Sequence, residues 1–150
     1  MDLNKILTIT GKSGLFLLLS KTKNNFIVSS LADGKRFPAF SDDGVASLEN
    51  ILIFTEEGDV PLETVFRAIF TKENGNKIDE NHLADNNRMK AYFLEILPTY
   101  DKERVYVSNI KKVLTWYNIL VDNGLVDNEV SEKSENQEKQ EPDEPTETQL

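Results

Sequence analysis

The amino-terminal third of the chain carries five short apolar stretches, and their spacing limits the possible folds more than any other feature of the sequence. They are Ile6–Ile9, Leu15–Leu19, Phe26–Leu31, Phe37–Phe40 and Ile51–Phe54. Each is strand-sized and is bounded by residues that favour turns. Asparagine and glycine tolerate the left-handed backbone of tight hairpins, so Asn24–Asn25 and Asp33–Gly34 indicate an antiparallel meander. The pattern predicts a small closed β-barrel over residues 5–55.

Three further features refine this order. Gly11–Gly14 lacks the spacing of a phosphate-binding loop and is followed by a strand, so it is predicted to be an ordinary loop. Pro38 cannot donate a ladder hydrogen bond, which indicates an edge strand or a bulge. Val45–Asn50 has room for one 3₁₀ turn before the last strand. The resulting order is that of an SH3-like barrel, expected over residues 1–56.

Beyond the barrel the apolar period changes from two residues to about 3.6, which predicts three amphipathic helices. They begin near Asp59, Met89 and Ser108 and end near Asn74, Leu97 and Gly124. Helices this short are unstable alone in water, so they must pack on one another or on the barrel. The expected class is therefore α+β, with a helical domain over residues 57–125.

The net charge of -9 is distributed unevenly. Residues 127–150 hold nine Asp/Glu against two Lys, whereas residues 1–55 hold five Asp/Glu against six Lys/Arg. The carboxy-terminal segment is also nearly free of apolar residues, so it cannot offset the entropy of ordering. A disordered acidic tail is predicted over residues 126–150, either as a partner-seeking or DNA-mimicking arm or as a solubilising extension.

The residue types that support most enzyme chemistry are missing or isolated. There is no cysteine, which excludes disulfides and thiolate chemistry and fits a reducing cytoplasm. His82 is the single histidine, and the carboxylates at Asp42–Asp43 and Glu56–Asp59 lack the spacing of a calcium loop. No apolar run is long enough to span a membrane. We expect no enzyme, no metal and no cofactor.

Several short segments carry a resemblance to a known family. They are Lys12–Leu15, Asn25–Val28, Asp33–Arg36, Asp59–Leu62, Tyr100–Asp101, Val105–Leu114 and Trp116–Tyr117. In these segments the chain resembles a family of small bacterial proteins whose function is unassigned. The resemblance covers about residues 3–121. It implies an SH3-like amino-terminal domain followed by a small helical domain, and it implies no catalytic residues.

Basic and aromatic residues occur together in the predicted barrel. Lys12, Lys35 and Arg36 accompany Phe37, a combination that an acidic peptide or single-stranded nucleic acid can use. The structural alternative is that the aromatic rings belong to the barrel core.

The third helix is apolar over an unusually wide arc. Trp116 and Ile119 fall outside its main stripe when successive residues are placed about 100° apart. Such a helix needs two neighbours, either within the chain or in the second subunit of a dimer.

Two functions follow from these patterns. The first is a non-enzymatic interaction module that binds an unidentified protein through an apolar patch near Trp116 and Ile119. The alternative is a nucleic-acid-binding protein with its basic residues on one face. These residues are Lys12, Lys35, Arg36, Arg104, Lys111 and Lys112. No membrane partner is expected, and both a monomer and a dimer are compatible with the sequence.

Deleting Asp127–Leu150 is predicted to leave the fold intact, because the segment has little apolar surface to bury. Thermal unfolding of the full-length and truncated chains should then give midpoints within a few degrees of each other. A much lower midpoint for the truncated chain would show that this segment stabilises the body.

Overall fold

The computed structural model of the chain describes residues 1–40 and 43–127. Five strands form an antiparallel sheet in the order β4-β3-β2-β1-β5. They are β1 (Ile6–Ile9), β2 (Lys12–Lys21), β3 (Asn25–Ser30), β4 (Arg36–Phe40) and β5 (Val45–Ser47). The meander from β2 to β4 is confirmed, and the proline-containing strand β4 lies at an edge of the sheet as predicted.

The turn between β1 and β2 is shorter than the sequence suggests. Ile9 pairs with Lys12, so Thr10 and Gly11 alone form the hairpin loop. The rest of the predicted Gly11–Gly14 loop is the start of β2. The register shifts between Leu7 and Ile9, and Gly14 has a φ of 86°, so β2 carries a bulge there that a side chain would strain.

The closed SH3-like barrel is not found within the described residues. The segment predicted as its last strand forms β6 (Leu52–Thr55), which pairs with β7 (Gly58–Pro61) in a separate hairpin. Strand β1 pairs with β5, and only Leu48–Asn50 forms the predicted 3₁₀ turn. The apolar run could not reveal that β7 is its partner, since any neighbouring strand satisfies its hydrogen bonds.

The three predicted helices are present as α1 (Leu62–Glu73), α2 (Asn86–Ile96) and α3 (Val107–Asp122). Helix α1 does not begin at Asp59, because Asp59 and Val60 pair with β6. Helix α3 begins one residue before Ser108. Asn74 ends α1 in the left-handed conformation with a φ of 54°, and Gly124 follows α3 with a φ of 66°. None of the helices in the described ranges is long and apolar enough to cross a membrane.

The two faces of the sheet contribute to different apolar clusters. One face packs against the helices in a core to which the sheet contributes Ile6 and Leu15 and the helices contribute Phe66, Phe93 and Tyr117. The other face forms a smaller cluster drawn from the five strands alone: Leu7, Ile9, Phe16, Val28 and Ala39, with Leu18, Phe26, Phe37 and Val45 against it. Val28 is fully buried there, so the sheet must curl over it.

The last described residues remain in contact with the body. Leu125 and Val126 pack against the main core, and the Asp127 carboxylate accepts a hydrogen bond from the Met1 amino group at 2.6 Å. This ion pair is partly buried, because Met1 is fully buried while the Asp127 side chain is about half exposed. The predicted start of the disordered tail at residue 126 is therefore wrong for Val126 and Asp127, which contact the body, and the rest of the predicted tail, residues 128–150, lies outside the described residues.

Asn118 attaches the connection after α1 to helix α3. Its Oδ1 accepts a hydrogen bond from the Ile78 backbone N–H at 2.7 Å, and its Nδ2 donates to the Ile78 carbonyl at 3.2 Å. Asn118→Ala should lower the free energy of unfolding by about 1–3 kcal/mol, because it leaves the buried Ile78 backbone groups without partners. Urea unfolding provides the measurement.

Asn123→Ala is the matched control, since the Asn123 side chain is exposed and donates to Ile119 within α3. The control should change the free energy of unfolding by no more than about 0.5 kcal/mol. Equal losses in the two variants would contradict the anchoring role of Asn118.

Candidate interaction groove

Three adjoining depressions lie near β2: the first two are between helix α3 and the strands, and the third is bordered by the strands and their turns alone. The first and second share Lys112 and Trp116 in their walls, and the second and third share Lys12 and Ser13. Because neighbouring depressions share wall residues, we consider them together and call them the groove. Their volumes are about 160, 380 and 330 Å³.

The first depression is the apolar part of the groove. It lies between β6 and the beginning of α3, and its walls include Ile53, Val105 and Val113. Leu52 and Phe54 point outward from β6, with 52% and 38% of their surface exposed. Exposed large side chains beside an apolar depression favour contact with a partner's apolar group.

Arg104 is held against the first depression by the loop before α3. The Asp101 backbone N–H donates to the Phe54 carbonyl at 3.0 Å, which attaches this loop to β6. The Asp101 carboxylate accepts hydrogen bonds from Arg104 Nε at 3.0 Å and from the Glu103 backbone N–H at 2.9 Å. The guanidinium carbon then lies 4.1 Å from the centroid of the Phe54 ring. These contacts hold the positive charge of Arg104 beside the apolar first depression.

The second depression is polar and basic. The β2 bulge forms one wall, and α3 forms the other with Lys111, Lys112, Thr115 and Trp116. Lys12 lies on the bulge wall, so three lysines surround this part of the groove. The tight Thr10–Gly11 turn and the bulge at Gly14 bring Lys12 towards α3, because a bulge redirects the side chains beside it.

The third depression continues across β2 to the turn before β4. Its walls are Lys12, Ser13, Phe16, Ser30, Asp33, Lys35 and Phe37. Lys12 Nζ lies 5.1 Å from the centroid of the Phe37 ring, and Phe16 contacts Phe37 edge to face at 5.6 Å between centroids. The Asp33 carboxylate accepts the Lys35 backbone N–H at 2.9 Å as part of the turn.

The groove has a positive lining. Five cations border it, namely Arg104, Lys111, Lys112, Lys12 and Lys35, against the carboxylate of Asp33, and the Arg104 charge is also paired with the Asp101 carboxylate. Outside the groove, the described residues include more acidic than basic ones, so the positive charge is a local property of the groove. A ligand that fits the groove chemically carries negative charge.

Five of the seven residues predicted as a binding site border the groove: Lys12, Lys35, Phe37, Lys112 and Trp116. Arg36 is exposed but does not border the groove. Successive residues on a strand point to opposite faces, and its neighbour Phe37 is the one that faces the groove. Ile119 packs against the main core. Trp116 is partly buried against the same core and also borders the groove.

Leu52 and Phe54 were not predicted as site residues. All four residues of the run Ile51–Phe54 are apolar, so the sequence could not show which side chains face outward. The outward direction follows from the pairing of β6 with β7, with Ile53 turned into the core.

A second polar cluster lies away from the groove. The Tyr92 hydroxyl donates to the Glu73 carboxylate, and the His82 ring lies 4.9 Å from the Tyr92 ring. Burial raises the pKa of Tyr92, and the hydrogen bond to Glu73 raises it further. Within residues 1–40 and 43–127 no three His, Asp or Glu side chains are placed to hold a metal ion.

The fold and the groove define a small α+β protein with one basic and apolar surface, and comparison with known proteins supplies its family. Residues 3–48 match a domain of unknown function (DUF5606), and residues 51–120 match a second domain of unknown function (DUF6852). No curated protein is significantly similar to the chain.

A solved structure matches most of the chain. It is a solution NMR structure of a Bacteroides vulgatus protein from a structural genomics consortium, with 44% identity and a TM-score of 0.68. The match covers 84% of this chain and 90% of that one. The chain therefore belongs to the same family as the Bacteroides vulgatus protein.

Arg104 should control the acidity of Asp101. The hydrogen bond from the Arg104 side chain, followed by that from the Glu103 backbone, holds the pKa of the Asp101 carboxyl below its usual value. Because the pKa is lowered, these contacts stabilise the fold at pH values above the unfolded-state pKa of Asp101. The stabilisation is lost as the pH falls through the folded-state pKa. Arg104→Ala should therefore raise the pKa of Asp101 towards normal, as measured by an NMR pH titration of its side-chain carbon.

Arg88→Ala is the control for this titration, because Arg88 pairs with Asp85 instead of Asp101. It should leave the Asp101 titration unchanged. An Asp101 pKa that is the same in the native chain and in Arg104→Ala would contradict the interaction.

Proposed function

We propose that the protein is a non-enzymatic interaction module whose groove binds a short segment of a partner protein. The segment has one large apolar side chain flanked by carboxylates. In this proposal the curled sheet is an open relative of an SH3-like barrel. The observation that carries it is the first depression, where exposed Leu52 and Phe54 lie beside the cations Arg104 and Lys112.

The exposed apolar surface of the groove indicates that the ligand has an apolar part. Leu52 and the first depression present apolar atoms to water, and burying one large side chain there contributes about 1.5–3 kcal/mol. A depression of about 160 Å³ accommodates one such side chain and not several.

The positive charge of the groove indicates that the ligand also has an acidic part. Five cations border the groove, and carboxylates on either side of the apolar anchor reach Arg104 on one side and the lysines of the second depression on the other. Such contacts steer association and select against basic ligands more than they add affinity. Binding should therefore weaken as salt is raised.

Nucleic acid is the second candidate, because the same basic residues border one surface. Single-stranded nucleic acid needs free aromatic faces on which bases stack. Two groove aromatics already carry cations: Arg104 covers Phe54, and Lys12 covers Phe37. This occupation favours a peptide over a stacked base.

A peptide-display selection against the full chain tests the proposal. Random short peptides should converge on one aromatic or aliphatic residue beside Glu or Asp, and synthetic versions should bind in a fluorescence anisotropy assay. Leu52→Asp and Lys112→Glu should each weaken binding about tenfold, which corresponds to about 1.4 kcal/mol.

Two variants outside the groove serve as matched controls. Leu94 is 42% exposed on α2, and Lys90 is exposed on the same helix. Leu94→Asp and Lys90→Glu should leave the affinity within about twofold of the native value. Selection of peptides without acidic residues, or peptides indifferent to Leu52→Asp, would refute the proposal. Tighter binding of oligothymidine than of any selected peptide would favour nucleic acid.

A further inference from the structure

The second depression of the groove collects hydrogen-bond donors from two walls. Helix α3 supplies two neighbouring columns, each one helical turn long: Lys111 with Thr115, and Lys112 with Trp116. The opposite wall, from β1 and β2, adds the Lys12 ammonium group and the hydroxyls of Thr8 and Ser13. Three ammonium groups and three hydroxyls therefore border one space of about 380 Å³.

This convergence distinguishes the second depression from the other charged parts of the surface. Of the described residues that line it, none is Asp or Glu. The third depression includes the Asp33 carboxylate, and the Arg104 charge at the first depression is paired with Asp101. Several exposed lysines border none of the three depressions, namely Lys5, Lys21, Lys23, Lys90 and Lys102. Within the groove, donors thus converge without a carboxylate only at the second depression.

The β2 wall is also open to close approach by a ligand. Gly11 and Gly14 have positive φ values of 84° and 86°, which glycine adopts without strain. At both glycines, no atom beyond the adjacent residues lies within 4 Å of the position that a Cβ would occupy. Gly11–Gly14 lacks the sequence spacing of a phosphate-binding loop, but the fold places the lysines of α3 opposite it.

A phosphate monoester matches this set of donors better than a carboxylate does. It carries a charge of about −1.5 to −2 near pH 7 and has three acceptor oxygens, whereas a carboxylate has a single charge and two oxygens. Lysine binds phosphate as a compact point charge, and hydroxyl groups donate to the remaining oxygens. Lysines from both walls therefore contact one phosphate, whereas one carboxylate leaves part of the donor set unused.

The phosphate position lies close to the apolar first depression. Lys112 and Trp116 border both depressions and are four residues apart on α3. Four helical residues span about 6 Å, and two residues of an extended peptide span about 7 Å. One extended segment therefore reaches both depressions when its phosphorylated residue lies about two positions from its apolar anchor.

From this donor set and spacing we infer that the second depression binds a phosphorylated side chain of the partner segment, about two residues from the apolar anchor in the first depression. The inference rests on the proposed function, since it uses the same groove and the same anchor. It adds that the protein recognises the phosphorylated form of its partner. Phosphorylation of the partner then controls the association.

Matched synthetic peptides test this inference. A short peptide with one phenylalanine anchor is made with serine, glutamate or phosphoserine two positions from the anchor, on either side in turn. Fluorescence anisotropy measures the affinity of each labelled peptide for the full chain near pH 7.5. The phosphoserine peptide should bind about tenfold more tightly than the glutamate peptide, and the serine peptide should bind most weakly.

Lys111→Gln locates the phosphate, because Lys111 borders the second depression and neither of the others. This variant should reduce the advantage of phosphoserine over glutamate to about threefold or less. Lys90→Gln is the matched control, since it removes the same charge from an exposed position on α2 outside the groove. The control should retain the full advantage. Equal advantages in the two variants, or an advantage below about twofold in the native chain, would overturn the inference.

Small phosphorylated molecules are the other source of the same chemistry. Inorganic phosphate and adenosine monophosphate supply the phosphate without the apolar anchor, so they should compete at least about tenfold more weakly than the phosphoserine peptide. Competition by either molecule as strong as that of the peptide would overturn the inference in favour of a small phosphorylated ligand.

Leu52→Asp separates this inference from the proposed function. If it weakens the glutamate peptide while phosphoserine gives no advantage, the inference fails and the proposed function stands. If phosphoserine gives its full advantage but Leu52→Asp weakens neither peptide, the phosphate site is supported and the proposed function is refuted. Absence of binding by all three peptides would refute both.

Discussion

The structure depends on one apolar core that the sheet and the helices share. Ile6 and Leu15 from the sheet and Leu48 from the 3₁₀ turn pack with Phe66 and other helical residues into a single buried cluster. Neither half has enough apolar surface to stand alone, because three short amphipathic helices and one open sheet each expose a face that needs covering. Burial of these faces against each other fixes the position of α3 beside the strands.

The groove is a consequence of that position. Helix α3 uses Ile110, Leu114 and Tyr117 for the core, and the flank carrying Lys112 and Trp116 is left facing the strands. On one side of this flank lies the β6–β7 hairpin, and on the other lies the β2 bulge. One helix thus joins an apolar depression to a basic one. An elongated ligand of mixed character fits this arrangement better than a compact one.

The distribution of charge links the groove to the rest of the chain. Four lysines of the described body border the groove, and the densest run of carboxylates in the sequence lies in residues 128–150. The negative net charge of the whole chain therefore conceals a positive surface. In the proposed function, discrimination between acidic ligands depends on the apolar first depression, where Leu52 and Phe54 are exposed.

The sequence by itself determined the α+β class, the β2–β4 meander and the three helices, because hairpin turns and apolar periodicity are local properties of a few neighbouring residues. It also singled out Lys12, Lys112 and Trp116 as candidates, because their residue types suggest binding wherever they lie, and the structure places all three at the groove. The partner of the run Ile51–Phe54, and hence the outward side chains of Leu52 and Phe54, was decided by the tertiary structure. The actual partner, Gly58–Pro61, is separated from β6 only by Glu56 and Glu57, but whether this neighbour or a distant strand satisfies the backbone hydrogen bonds depends on the apolar surface that each pairing buries, and the run itself does not contain that information.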